Sequence, residues 1–174
     1  ISDAEKETFF RDHINSLDNA GKAALYVAMQ SIPTPEQLET MVNDATKDMT
    51  RADMEQQMTQ ALTQQMGMNE KDITDYIQAM PDDEITGFFK EMVSEQIKMQ
   101  YAAQVKSQMS QMTTDQLVLF FDLDLAMDKY TTEQFALFYD EVLEFSESNY
   151  DNNLRELGYV HLDEPSAINI YASI

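Results

Sequence analysis

Apolar residues recur along this chain at helical rather than strand spacing. After Thr34 come Leu38, Met41, Val42, Ala45 and Met49. After Thr113 come Leu117, Phe120, Phe121 and Leu125, and after Thr131 come Phe135, Phe138, Tyr139, Val142 and Phe145. Such i, i+3, i+4, i+7 stripes gather apolar side chains on one face of an α-helix and leave polar ones on the other. The chain also repeats one start signal. Ser2-Asp3-Ala4-Glu5, Thr34-Pro35-Glu36-Gln37, Thr113-Thr114-Asp115-Gln116 and Thr131-Thr132-Glu133-Gln134 all read S/T-x-x-E/Q. In that box the hydroxyl accepts from the third helical N–H, and the Glu or Gln reaches back to the cap residue's own N–H. Pro35 takes the first helical position, where a missing N–H costs nothing. Asn69 and Asp82 are expected as two further caps.

From Glu84 to Met112 the pattern is different. Ile85, Phe89, Val93, Ile97, Tyr101, Val105 and Met109 are apolar at a strict spacing of four. Four residues advance about 400° around a helix, so this row drifts about 40° per step and winds most of the way round. A long helix of this kind meets one neighbour near its start and another near its end. The starts at Thr34, Asp82, Thr113 and Thr131 lie 48, 31 and 18 residues apart, a loose helix-hairpin repeat rather than a fixed-period solenoid. The expected fold is therefore all-α (mainly α): an elongated array of amphipathic helices and helix hairpins around one long central helix. Only four glycines and four prolines occur, too few for a turn-rich β fold.

Past Arg155 the helical grammar stops. Gly158 suits a left-handed helix stop, Pro165 blocks continuation, and Ala167-Ile168-Asn169-Ile170-Tyr171 is rich in strand formers. Residues 1–155 are thus expected to be a helical domain. Residues 156–174 are expected to be an extended or β segment leading into the rest of a larger protein. Opening at Ile1 rather than Met fits the same expectation of an excised piece or a processed chain.

Charge narrows the list of partners. Against 32 Asp and Glu stand 11 Lys and Arg, a net charge of −21. Such a surface repels phosphate backbones and anionic lipid headgroups, which argues against nucleic acid and against a helix lying on a membrane. The excess is uneven: residues 111–174 hold 13 acidic and 2 basic side chains. The longest apolar run, Leu117 to Phe121, is five residues, far below the roughly 20 that span a bilayer. The domain itself is not expected to insert in a membrane.

Candidate chemistry is thin, and no catalytic, cofactor-binding or metal site is expected. With no cysteine there is no disulfide, thiolate ligand or thiol nucleophile. His13 and His161 stand in no catalytic signature, and no glycine-rich loop offers a phosphate cradle. A hydrolase built on paired carboxylates gains no support, because 32 acidic residues make chance pairs common. Asp122, Asp124 and Asp128 suggest a calcium loop, but Ala126 and Met127 stand where an EF-hand needs Asp or Asn and then Gly. Thirteen methionines could fill a core, line an adaptable peptide-binding face, or bind Cu(I) through Met66-x-Met68 and Met109-x-x-Met112. Without His or Cys nearby the copper reading is weak.

The tail carries a family signal. Leu157-Gly158-Tyr159-Val160-x-Leu162-Asp163-x-Pro165-Ser166-Ala167-Ile168-Asn169-Ile170-Tyr171 resembles a segment of FtsX-like, macrolide-exporter-type ABC transporter permeases from Gram-positive bacteria. In those proteins it follows a helix-rich extracytoplasmic insertion between transmembrane segments. The match covers about the last 15 residues, and the helical body agrees with such insertions only in style. The resemblance implies a non-enzymatic domain on the extracytoplasmic face of the cell membrane, contacting substrates, peptides or partner proteins and relaying ATP-driven motion. Its partners would include the transmembrane and ATP-binding parts of the same transporter. The alternative is a free-standing acidic helical module, chaperone-like, binding clients through methionine-rich faces.

Acid should stabilise this chain before it unfolds it. Most of the carboxylates have no cation to pair with, and mutual repulsion raises their pKa values in the folded state. A raised pKa means that the folded state binds protons more readily than the unfolded chain, so stability rises as pH falls from 7 towards about 5. Capping and ion-paired carboxylates act oppositely at lower pH, which places the optimum between about 4 and 6. Thermal melts across pH in low and high salt test this. A melting temperature falling steadily from pH 7 to 5 in low salt would contradict it.

Overall fold

A computed structural model describes residues 1–144. The fold is all-α. Its helices run α1 (Asp3–Ser16), α2 (Asn19–Gln30), α3 (Pro35–Thr46), α4 (Arg51–Met66), α5 (Glu70–Gln78), α6 (Asp82–Met109), α7 (Thr114–Ala126) and α8 (Thr132–Phe138), and the chain then adopts a π-helical stretch, Tyr139–Glu144. Phe145, His161, the stop at Gly158, the strand expected at 167–171 and the boundary expected at 155/156 lie outside the described residues.

The capping boxes at Ser2, Thr34, Thr113 and Thr131 form in full. At Ser2, for instance, Glu5 N–H donates to the Ser2 hydroxyl at 3.2 Å and Ser2 N–H to the Glu5 carboxylate at 2.9 Å. That donated bond holds Glu5 below the usual carboxylate range, and the Thr132 hydroxyl, followed by Arg11, does the same for Glu7. Both depressed groups contribute stability above the ordinary carboxylate pKa and lose it as pH falls, the acid limb of the expected optimum. Asn69 caps α5 through Lys71 N–H. A fifth full box stands at Thr50, whose third helical residue is Asp53 rather than Glu or Gln. Asp82 is not a cap: Pro81 holds the cap position without a side-chain bond, and Asp82 is the first helical residue, its carboxylate taken by Arg51.

Two compact units divide the described residues, the second interrupting the first along the sequence. The first comprises residues 1–29 and 112–144, and the second Gln30–Gln111. In the first, α8 packs on α1 through rings: Phe10 lies 5.9 Å from both Phe135 and Phe138, and Tyr130 meets those two edge-on at 5.7 and 5.5 Å. Arg11 sits over the Phe135 ring at 4.4 Å, and Lys6 pairs with Asp140 at 2.8 Å, fastening α1 to the π-helical stretch. Tyr26 of α2 stacks on Phe121 of α7 at 5.2 Å.

The second unit is built on the first half of α6. Ile85, Phe89 and Val93, the start of the four-spaced row, are buried with Met54 and Met58 of α4, Ile73 and Ile77 of α5, and Met80. Further along, Ile97, Tyr101, Val105 and Met109 are only half-buried. On α3 the buried residues are Val42 and Thr46, whereas Ala45, expected in the stripe, is exposed. Thr46 tolerates burial because its hydroxyl donates to the Val42 carbonyl at 2.8 Å. Gly67 ends α4 at φ +64°, a left-handed conformation that favours glycine.

Arg51 ties this unit's turns together. Its Nε donates to Glu55 at 2.6 Å, its Nη1 to Asp82, and its Nη2 to the carbonyls of Met80 at 2.6 Å and of Ile77 and Gln78 at 3.3 Å. The last carbonyls of a helix lack intrahelical donors, and a planar guanidinium reaches several at once.

Phe89→Ala removes a fully buried ring and should lower stability by about 3–5 kcal/mol in urea unfolding. Arg51→Lys keeps the charge but loses the fork, and should lower the urea midpoint of the chain. A Phe89→Ala loss below about 1 kcal/mol would refute the packing described for α6.

Candidate functional site

The side chains singled out for chemistry do not converge. His13 is half-buried in the last turn of α1, a position that suits an imidazole near a helix C-terminus. Asp122, Asp124 and Asp128 turn to three separate sets of partners: Lys22 lies 3.6 Å from Asp122, and Arg11 reaches Asp128 only at 4.0 Å. Asp124 accepts from the hydroxyls of Tyr26 at 2.9 Å and Tyr130 at 3.0 Å, with the Lys129 ammonium at 3.4 Å. Carboxylates so divided form no calcium loop. Among the described residues no three His, Cys, Asp or Glu side chains form a group that could hold a metal ion.

Methionine serves two purposes. Met29, Met54, Met58 and Met80 are core, while Met66, Met68, Met99 and Met127 are exposed. Met66 and Met68 flank the left-handed Gly67 without a His or Cys in the sequence around them.

The feature that stands out is α7. Its run Leu117-Val118-Leu119-Phe120-Phe121 cannot lie on one face, because successive residues turn about 100° around the helix. Leu117 and Phe121 go inward and are buried. Phe120, expected in the core stripe, is instead 44% exposed, together with Leu119 at 56%, Leu123 at 46% and Met127 at 76%. Leu119, Leu123 and Met127 step round by about 40° each, and Phe120 closes a strip some 100° wide. Each such side chain, left partly in water, forgoes a share of the roughly 1.5–3 kcal/mol that full burial brings. Asp115 and Asp122, seven residues and about two turns apart, fall on one line along the Leu119 edge, and no basic residue occurs between Thr114 and Ala126. The strip is an acidic-rimmed apolar ridge. It offers a surface for contact.

A shallow hollow lined by Ala4, Glu5, Thr8 and Phe9 on α1 lies within the first unit. It has no converging polar groups of the kind that orient a small ligand. Comparison with protein-family models, curated proteins and solved structures finds no match to this chain.

Tyr26 yields a pH test of the α7 anchor. Burial, followed by its bond to the Asp124 carboxylate, pushes the Tyr26 phenol far above its ordinary value. A raised folded pKa means that this contribution is complete below about 10 and is lost as pH rises beyond it. In a tyrosinate absorbance titration, Tyr26 should ionise only with alkaline unfolding, and Tyr26→Phe should remove one late-titrating group. Removal of an early-titrating group instead would overturn the assignment.

Proposed function

We propose that this chain acts by contact rather than catalysis, as an extracytoplasmic domain of an FtsX-like ABC transporter permease that meets substrate or partner proteins and relays ATP-driven motion. The contact role rests on one observation, the unpartnered apolar strip of α7. A helix that is apolar on both faces has more surface to bury than its own unit covers. The location rests on the resemblance of residues 157–171 to the segment that follows such insertions. No helix among the described residues is long and apolar enough to cross a membrane, which is compatible with a domain held between spans contributed elsewhere.

In this role the transporter's ATP chemistry belongs to other parts of the assembly. This domain would supply a recognition surface and helices stiff enough to pass on movement. Met54, Met58 and Met80 are committed to the core of the second unit, whereas a methionine-face module would have to use the exposed Met66, Met68, Met99 and Met127.

Because the chain is free of cysteine, location can be tested by labelling. Met99→Cys, at a position on α6 that is 73% exposed, is made in the full-length protein in its native cells. A membrane-impermeant maleimide should label it on intact cells, beyond any labelling of the unsubstituted protein. Labelling only after lysis would overturn the location.

A further inference from the structure

We infer that the exposed strip of α7 docks a basic amphipathic helix of a partner protein, an identification that deepens the contact role proposed above and rests on it. Shape sets the first requirement. Leu119, Leu123 and Met127 follow one another at a spacing of four, so they present a ridge about 12 Å long, two turns of helix. A second helix laid along such a ridge engages it with its own i, i+3, i+4, i+7 apolar residues. Leucine, phenylalanine and methionine side chains together give a soft, adaptable surface suited to that mode.

Charge selects the occupant. Asp115 and Asp122 line one edge of the strip, and Asp128, with its side chain 87% exposed, follows Met127 at its end. Asp115 has no ion pair among the described residues, and the 3.6 Å approach of Lys22 neutralises Asp122 only in part. A second copy of the chain, itself carrying a net charge of −21, would meet this rim with like charge. Residues 145–174 carry five carboxylates against one arginine, so the chain's own tail is repelled as well. Anionic lipid fails for the same reason. What remains complementary is a helix with apolar residues on one face and Lys or Arg flanking them, which would also associate faster at low salt.

The full 174-residue chain can be tested with two synthetic 18-residue probes. One carries leucine on one helical face and lysine on the other, and its counterpart has glutamate in place of lysine. The lysine probe should bind, the glutamate probe should not, and Leu119→Asp with Leu123→Asp should weaken binding by about tenfold or more. Both positions are exposed, so circular dichroism should show these variants folded. Asp115→Asn with Asp122→Asn should weaken binding and flatten its salt dependence. Asp83→Asn with Glu84→Gln, an acidic pair at the start of α6 in the second unit, controls for bulk attraction. Equal loss in that control, or binding indifferent to Leu119 and Leu123, would reduce the effect to net charge and overturn the proposal. Equal binding of the glutamate probe, or self-association of the free chain that Leu123→Asp abolishes, would overturn it too by pointing to an occupant selected without charge. Surface labelling of Met99→Cys is independent of all these results, so the location can fail while the ridge stands, and the reverse.

Discussion

Each helix begins with four backbone N–H groups that no carbonyl of its own can satisfy. A chain made of helices meets that constraint at every element start. Here it is met mainly by Ser or Thr accepting from the third helical N–H, with the residue at that third position answering back. The solution is local, needing only residues three apart, so helices can be set down without help from distant contacts. It also places acidic or amide side chains at the positive end of each helix, where the macrodipole favours negative charge. Part of the chain's acidity is thereby put to structural use.

The remaining acidity makes cations scarce, and several of them are spent as fasteners. Arg51 holds carbonyls at the end of α5 together with the carboxylates of Glu55 and Asp82. Lys6 binds Asp140, Arg11 covers Phe135 while pairing with Glu7, and Lys129 approaches Asp124. Each joins elements that a hydrophobic stripe alone would leave free to slide. Among the described residues most carboxylates have no ion-pair partner, and on α7 the unpaired Asp115 and the Lys22-paired Asp122 border the apolar strip. An exposed apolar strip with such an acidic edge is a combination that a basic amphipathic segment complements and a second acidic surface does not.

Helix α7 also joins stability to exposure. Its inner face is held by Phe121 stacked on Tyr26 and by Asp124 bonded to two tyrosine hydroxyls. The outer strip can therefore stay in water without loosening the helix that bears it. A binding surface on a rigid element loses little conformational freedom when a partner arrives.

Helix starts at Ser2, Thr34, Asn69, Thr113 and Thr131, and the single long helix carrying the row from Ile85 to Met109, were legible in the sequence because caps and stripes are short-range. The start at Thr50 does not read as S/T-x-x-E/Q because Asp53 completes its box, and the start expected with Asp82 as cap falls one residue late because Pro81 holds the cap. The Leu117–Phe121 run is too short to span a bilayer, yet five consecutive apolar residues on a helix must send some outward. Which ones go outward is not a local property. Neighbouring helices place Phe121 inward and Phe120 outward, and bury Thr46 in preference to Ala45. The same long-range packing decides that residues 30–111 form a compact unit of their own, and that Tyr26, 98 residues away in sequence, meets Asp124. Short-range signals in the chain place most of the helix starts and give residues 1–144 their helical character. Tertiary structure alone decided which faces close and which stay open, because burial depends on what lies opposite, and no spacing along the chain contains that information.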